Sequence, residues 1–180
     1  MKLKSKFNIQ IAADGSSASG KTTGAKLFSK KYGIKFLSSG LLYRYSSYLI
    51  IKNKPSSERI FLEKKFKKFN LSHLKNKNLH TPEISELSSK IAKKKEIRGI
   101  LKRFQKNFVR RNRKVCIEGR DIGTVIMPNA DIKFFFTCNL NTAAKRRFKD
   151  LKKKNPKIKF AEVKKAMRIR DNLDRSRRIS

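Results

Sequence analysis

Residues 7–23, with the sequence FNIQIAADGSSASGKTT, are the stretch that decides the fold. The apolar run FNIQIAA at 7–13 is short and nearly continuous, as strands buried on both faces are. A glycine-rich segment follows it and fits the pattern of a phosphate-binding loop (P-loop), Gly15-Ser16-Ser17-Ala18-Ser19-Gly20-Lys21-Thr22. Helical spacing then runs over 21–32, so the loop lies between a predicted strand and a predicted helix.

The chemistry of this loop suits a polyphosphate. Small residues let the backbone wrap around a phosphate so that amide N–H groups converge on it, and the following helix adds its positive dipole end. Lys21 would reach the β and γ phosphates, while the Thr22 hydroxyl would hold Mg²⁺. The alternative is a flexible Ser/Gly linker that precedes a lysine, which the flanking elements disfavour. We expect a nucleoside triphosphate as the ligand.

The rest of the chain predicts an α/β fold. Three further apolar runs, at 34–38, 115–119 and 131–137, are typical of buried strands, and helical spacing covers 41–51, 82–92, 96–111, 141–153 and 160–173. This alternation predicts three layers, with a central parallel sheet flanked by helices. Residues 55–81 have no strong strand pattern and look like an insertion beside the sheet. We expect one domain over 1–180, with its core at about 1–54 and 113–153, an insertion at about 55–112, and a C-terminal segment at about 154–180.

Composition narrows the class of protein. The 180 residues include 48 Lys plus Arg and 13 Asp plus Glu, giving a net charge of +35, with 38% hydrophobic residues. No stretch approaches the roughly 18 apolar residues of a membrane span, and the basic start leads into a run too short for a signal peptide. Cys116 and Cys138 lie in apolar runs without a CxxC spacing. We expect both to be reduced core residues in a soluble cytoplasmic protein.

The high charge also favours a second class, a basic nucleic-acid-binding protein. Against it, 33 lysines outnumber 15 arginines, occur in nearly every predicted helix, and are not interleaved with aromatic residues in a recognisable module. We therefore interpret the lysines as a solvated surface and expect no specific nucleic-acid partner. His73 and His80 are isolated in sequence, and no structural metal site is predicted from them.

Four blocks, in this order, resemble the bacterial cytidylate kinases of the P-loop nucleoside monophosphate kinase superfamily: Asp14-Gly15 with its loop, Ser39 to Arg44 (SGLLYR), Glu118 to Thr124 (EGRDIGT), and Arg168 to Arg177 (RIRDNLDRSR). Thr81 to Ile84 and Ile97-Arg98 add a fifth match. The resemblance implies transfer of phosphate from ATP, with Mg²⁺, to CMP or dCMP. It also implies a shortened NMP-binding insertion and an Arg-rich lid near the C-terminus, and we expect a monomer. Another small P-loop nucleotide or metabolite kinase is the rival, which the third block disfavours.

Phosphoryl transfer between two polyanions requires several arginines in one cleft, and Arg44, Arg120, Arg170 and Arg177 are the candidates. Arg170, Asp174 and Arg177 have i, i+4 and i+7 spacing, so one helical face would present all three. The alternative is that they are ordinary salt-bridge partners on a solvated surface. The resemblance implies that Arg44, Arg120 and Arg177 hold the acceptor phosphate, while Arg170 and Asp174 address the ribose hydroxyls.

Asp121 follows a predicted strand at its carboxyl end, where open parallel sheets bind ligands. Its carboxylate suits the amino group of cytosine, and the alternative is a helix or turn cap. By resemblance, Ser89 and Arg98 complete the base site; taken alone, they would be exposed polar residues on a helix. The catalytic residues implied are Lys21, Arg120, Arg170 and Arg177. The ATP-binding set implied is Gly15, Ser16, Ser17, Ala18, Ser19, Gly20, Lys21, Thr22 and Thr23, and the CMP-binding set is Ser39, Arg44, Ser89, Arg98, Arg120, Asp121, Arg170, Asp174 and Arg177.

The chain departs from the family pattern at four places. Ser16 and Ala18 stand where the family usually has Pro and Gly, and Ser38 stands where it usually has Asp. A positive φ at Ala18 would be mildly unfavourable. The family usually continues beyond the arginine block, so we expect a chain that ends early, with marginal stability and an exposed sheet edge.

Overall fold

The computed structural model describes residues 7–153 and 155–175, and for Lys77, Arg170 and residues 173–175 it describes only the backbone. Its strands are β1 (Ile9–Gly15), β2 (Lys35–Ser38), β3 (Lys114–Gly119) and β4 (Ile132–Phe136). Its helices are α1 (Lys21–Tyr32), α2 (Ser39–Asn53), α3 (Glu58–Lys67), α4 (Pro82–Ile91), α5 (Lys95–Arg110), α6 (Leu140–Lys152) and α7 (Phe160–Arg175).

The chain forms two compact units. The sheet unit contains the described residues up to Leu37 and those from Arg113 onwards, and the helical unit is Ser38–Asn112. The finer division predicted from the sequence stays a prediction. None of the described helices is long and apolar enough to cross a bilayer.

The sheet is parallel, with strand order β2-β3-β1-β4. β1 lies between two partners, and its register with β3 places Asp14 opposite Gly119. Ile11 and Ala13 of β1 are buried with Ala25 of α1 and Cys116 of β3, in a core cluster that covers one face of the sheet. The predicted parallel sheet flanked by helices is therefore confirmed, with strand ends within two residues of the predicted ones.

Two expectations about the strands were wrong in detail. β4 was expected to be buried on both faces, but Phe134 is 42% and Phe135 73% exposed. Among the described residues β4 pairs with β1 alone, so it is an edge strand with one side uncovered. Cys138 lies just beyond β4 rather than inside a strand, and it is only half-buried, whereas Cys116 is buried in β3 as expected.

The helical unit contains a helix that the sequence did not reveal. Within the segment expected to be an insertion, residues 58–67 form α3, and Leu71–Lys75 and Lys77–His80 form two short 3₁₀ turns. Ser57 begins α3 by accepting a hydrogen bond from the Ile60 amide at 3.4 Å. Leu62 and Phe66 are its two buried residues, one turn apart, and a lysine-rich face surrounds them. So narrow an apolar stripe gives a weak periodic signal.

Gly15 joins β1 to the phosphate-binding loop at a point where a side chain has no room. Its φ is +151°, and a Cβ placed there would collide with the backbone carbonyl oxygen of Phe136, the residue opposite in β4. Gly33, which ends α1, also has a positive φ (+66°), but nothing lies within 4 Å of a Cβ placed there. A side chain at Gly33 would therefore cause backbone strain alone, whereas one at Gly15 would cause both backbone strain and a steric clash.

We expect Gly33→Ala to lower the free energy of unfolding by about 1–2 kcal/mol, the strain of a left-handed L-residue. Gly15→Ala combines backbone strain with overpacking against Phe136. Overpacking should lower the free energy of unfolding by about 1–3 kcal/mol more. Urea unfolding followed by circular dichroism measures both. Equal losses would show that β4 yields to a methyl group and that Phe136 does not constrain the loop.

Candidate active site

The phosphate-binding loop connects β1 to α1 and is built from backbone conformations that few residues adopt. Gly15, Ala18 and Gly20 all have positive φ, of 151°, 55° and 92°. The Lys21 ammonium donates to the Ser16 carbonyl oxygen at 2.9 Å, across the loop. Ser19 is buried, and its hydroxyl has no hydrogen-bond partner among the described residues. Thr22 and Thr23 lie in the first turn of α1. The Lys21 side chain thus folds back onto its own loop, and its predicted contact with phosphates stays a prediction.

Ala18 has the left-handed backbone considered from the sequence, with an alanine where glycine would fit without strain. Arg146 of α6 contacts the loop at this point, its guanidinium 3.5 Å from the Ala18 carbonyl oxygen and 3.9 Å from the Cys138 sulfur. Arg146 was not among the residues predicted from the sequence. It lies in a run of basic residues with no spacing that distinguishes it from Lys145 or Arg147.

Asp14, at the end of β1, connects the loop to a second segment of the sheet unit. Its two carboxylate oxygens accept hydrogen bonds from the Ile122 amide at 2.9 Å and the Gly123 amide at 2.7 Å. Burial raises the pKa of Asp14 above its ordinary value, as does the charge of Asp121, whereas the two amide bonds and Lys21 act to lower it. One buried carboxylate thus holds the single π-helical turn Ile122–Ile126 next to the phosphate-binding loop.

Arg120 and Asp121 lie between β3 and this turn. The Arg120 guanidinium forms an ion pair with Asp171 of α7 at 3.3 Å, and both side chains are about one-fifth exposed. Asp121 immediately precedes the turn, yet its side chain makes no capping hydrogen bond there. Asp14 supplies those contacts instead. The interpretation of Asp121 as a turn cap is therefore wrong.

The residues predicted to form a lid are only partly described. α7 runs through Arg175, so the backbone of Arg170 and Asp174 is helical, with Asp171 between them. Arg177 lies outside the described residues. The ion pair between Asp171 and Arg120 brings α7 to the end of β3.

The remaining predicted residues belong to the helical unit. Ser39 begins α2, and Ser38 before it accepts from the Leu41 amide at 3.3 Å as the N-cap. The Arg44 guanidinium donates to the Ser85 hydroxyl at 2.8 Å and to the Leu79 carbonyl oxygen at 2.9 Å. The Ser89 hydroxyl donates to the Ser85 carbonyl oxygen at 3.2 Å, so Ser85 connects Arg44 to Ser89. The Arg98 guanidinium lies 3.5 Å from the Ala92 carbonyl oxygen.

Each unit therefore groups part of the predicted set. In the sheet unit, the phosphate-binding loop, Asp14, Arg120 and Asp121 lie at the carboxyl ends of the neighbouring strands β1 and β3. That edge of a parallel sheet is where ligands bind. In the helical unit, Arg44 and Ser89 meet at the first turns of α4. Within the sheet unit, Lys21 and Arg120 are cations of the kind that bind anionic phosphates.

Comparison with known proteins agrees with this chemistry. The family model described as Cytidylate kinase matches residues 11–180. A Cytidylate kinase of Thermosipho melanesiensis is 37% identical over 95% of this chain and 82% of its own length. Proteins of the same name from Fervidobacterium nodosum and Rickettsia rickettsii are 35% and 36% identical, over 97% and 96% of this chain and 84% and 78% of theirs. The comparisons give no support to a nucleic-acid-binding protein.

The double hydrogen bond of Asp14 yields a prediction. Asp14→Asn leaves one acceptor for two amide donors and turns an NH₂ group towards one of them, so the turn that follows Arg120 and Asp121 shifts. A buried unsatisfied donor costs about 1–3 kcal/mol. We expect kcat/KM for nucleotide phosphorylation to fall about tenfold or more, since 1.4 kcal/mol corresponds to a factor of ten.

Asp131→Asn is the matched control, because Asp131 also accepts a backbone amide hydrogen bond, from Gln10 at 2.7 Å near the other end of β1. This variant should keep its kcat/KM. If both variants lost activity equally, Asp14 would contribute only to general stability of the sheet.

Proposed function

The chain belongs to the cytidylate kinase family, and from that premise we propose that it transfers the γ-phosphoryl group of ATP to CMP and dCMP. The bond between the γ-phosphorus and the β-phosphate oxygen breaks, and a new bond forms to an oxygen of the acceptor 5′-phosphate, giving ADP with CDP or dCDP. The observation that carries the proposal is the juxtaposition of the phosphate-binding loop with Arg120 and Asp121 at the carboxyl ends of β1 and β3.

On the donor side, the loop Gly15 to Thr23 binds ATP, and Lys21 compensates the charge that accumulates on the β and γ phosphates. A hard cation suits oxygen ligands, and the Thr22 hydroxyl in the first turn of α1 is an oxygen ligand beside the loop. Mg²⁺ bound with the nucleotide would be held there and would neutralise phosphate charge.

On the acceptor side, arginines hold the CMP phosphate so that its attacking oxygen is aligned with the donor. We assign this role to Arg44, Arg120 and Arg177, and the ribose contacts to Arg170 and Asp174. A guanidinium has five N–H donors, so Arg120 can hold Asp171 and a phosphate oxygen together. The charge that develops in the transition state is stabilised by the catalytic set Lys21, Arg120, Arg170 and Arg177.

The base site consists of Asp121 with Ser39, Ser89 and Arg98. The place of Asp121 supports this role, because it lies just beyond β3 at the carboxyl end of the sheet, where parallel sheets bind ligands. An ionised carboxylate accepts from the amino group of cytosine and repels the carbonyl oxygen at the same place in uracil.

The proposal also covers the organisation of the protein. The segment 55–112 serves acceptor binding, the segment 154–180 serves as the lid over the phosphates, and the core 1–54 with 113–153 carries the donor site. The protein acts as a monomer in the cytoplasm.

An ADP-release assay with ATP and each of CMP, dCMP, UMP and AMP tests the proposal. We expect CMP and dCMP to be phosphorylated, and Lys21→Ala to lower kcat by on the order of 10²-fold or more because it removes a group that stabilises transition-state charge. Lys30→Ala, which removes an exposed charge from the same helix, should have no such effect. Unchanged turnover in Lys21→Ala would refute the assignment of the donor site.

The base specificity has its own test. Asp121→Asn preserves shape but can present either a donor or an acceptor, so kcat/KM for CMP should fall while that for UMP rises relative to it. Sites built around a buried hydrogen bond discriminate by about 10³-fold or more, and we expect most of that ratio to be lost. An unchanged ratio of kcat/KM between CMP and UMP would remove Asp121 from the base site.

A further inference from the structure

The helical unit contains a cavity of about 450 Å³ that the proposed reaction does not use. It lies along the face of α2 formed by Tyr45, Tyr48 and Lys52, and it is closed by the 3₁₀ turn Leu71–Lys75 and by Lys65 of α3. None of Arg44, Ser89 and Arg98 lines it. Its volume is that of small-molecule sites, which typically measure about 300–1,000 Å³.

The walls of this cavity are cationic. Its lining includes Lys52, Lys65 and Lys75, and among the residues that the structure describes no aspartate or glutamate lines it. Within the described part of the chain, none of these three lysines forms an ion pair. Lys52 instead lies over the Tyr48 ring, 5.9 Å from its centroid. The Lys65 ammonium lies over the Phe61 ring, 5.4 Å from its centroid. Three lysines in the wall of one concave surface attract a ligand with several negative charges.

The cavity also presents flat aromatic surfaces. The rings of Tyr45 and His73 are nearly parallel, at an angle of 8° with centroids 5.5 Å apart, and Tyr48 lies at 26° to Tyr45. At that centroid distance the parallel rings are offset, so each overlaps only part of its neighbour. Burial and the neighbouring Tyr48 raise the pKa of Tyr45, so it is a neutral hydroxyl. Planar rings arranged in this way form a stacking surface for a base.

Two amides at the rim offer complementary hydrogen-bonding groups. The Asn53 NH₂ group donates to the Leu49 carbonyl oxygen, which leaves its side-chain oxygen as an acceptor. The Asn76 side-chain oxygen accepts from the Asn78 amide, which leaves its NH₂ group as a donor. The edge of a nucleobase carries both donors and acceptors.

The cavity thus combines a cationic wall, aromatic rings and two side-chain amides. We infer that it is a second nucleotide site, which binds a nucleoside triphosphate. The polyphosphate lies at the three lysines, and the base lies against Tyr45, Tyr48 and His73. The inference does not rest on the proposed function, because the cavity shares no residue with the assigned ATP-binding and CMP-binding sets.

Calorimetric titration with ATP tests the inference in a Lys21→Ala protein, in which the loop site is weakened. Adding Lys52→Glu and Lys75→Glu should weaken the remaining binding at least about tenfold, since two charge-assisted contacts become repulsive. Lys64→Glu with Lys68→Glu is the matched control, because it makes the same charge change in the same unit on exposed lysines outside the cavity. The affinity of this control for ATP should stay within about threefold of that of the Lys21→Ala protein, because charges on an exposed surface are screened by salt.

Tyr48→Leu separates a nucleotide from a bare polyanion. Stacking is worth about 1–3 kcal/mol per base, so ATP should bind about fivefold or more weakly while inorganic triphosphate binds as before. Absence of ATP binding in Lys21→Ala, equal loss in both charge variants, or equal affinity for ATP and triphosphate would overturn the inference. Tighter binding of a single-stranded oligonucleotide than of ATP would also overturn it, in favour of a nucleic-acid surface.

Discussion

The site depends on one buried carboxylate. Asp14 lies at the end of β1, directly before the phosphate-binding loop motif, and its two oxygens accept from two successive amides of the turn after Arg120 and Asp121. Burial opposes its charge and raises its pKa, so the bidentate contact persists against a desolvation penalty. The loop after β1 and the segment after β3 are therefore held together by a side chain, in addition to the pairing of their two strands.

The central part of this fold was predictable from the sequence because local and global signals agree there. A continuous apolar strand, a small-residue loop and a helix in succession leave one arrangement, and the structure confirms α1 at the predicted residues. The prediction failed for β4, which was expected to be buried on both faces but has an uncovered face. The run containing Phe134 and Phe135 is apolar enough for a central strand, but apolarity alone cannot say how many neighbours a strand has. α3 was missed because only Leu62 and Phe66 mark its buried side.

The site was predictable to the extent that motifs carried it. The loop residues, Arg120 and Asp121 follow from local patterns and resemblance, and the structure locates them just beyond the carboxyl ends of two adjacent strands. The contacts between distant segments were not predictable. Asp14 and Gly123 are 109 residues apart, and the pairing of Arg120 with Asp171 spans 51. Arg146 reaches the loop from a helix 128 residues away from Ala18. Nothing in a local pattern specifies such partners.

The uncovered edge at β4 and the net charge of +35 have opposite effects on association between molecules. An exposed aromatic edge strand invites lateral pairing between molecules, and natural proteins often protect such edges with charge. Here electrostatic repulsion between highly cationic molecules opposes pairing of their β4 edges. The Debye length falls from about 10 Å at 0.1 M salt to about 3 Å at 1 M, so the barrier shortens as salt rises. We therefore expect the molecules to repel one another at moderate ionic strength, and the high salt commonly used to concentrate proteins to weaken this repulsion and favour association through β4.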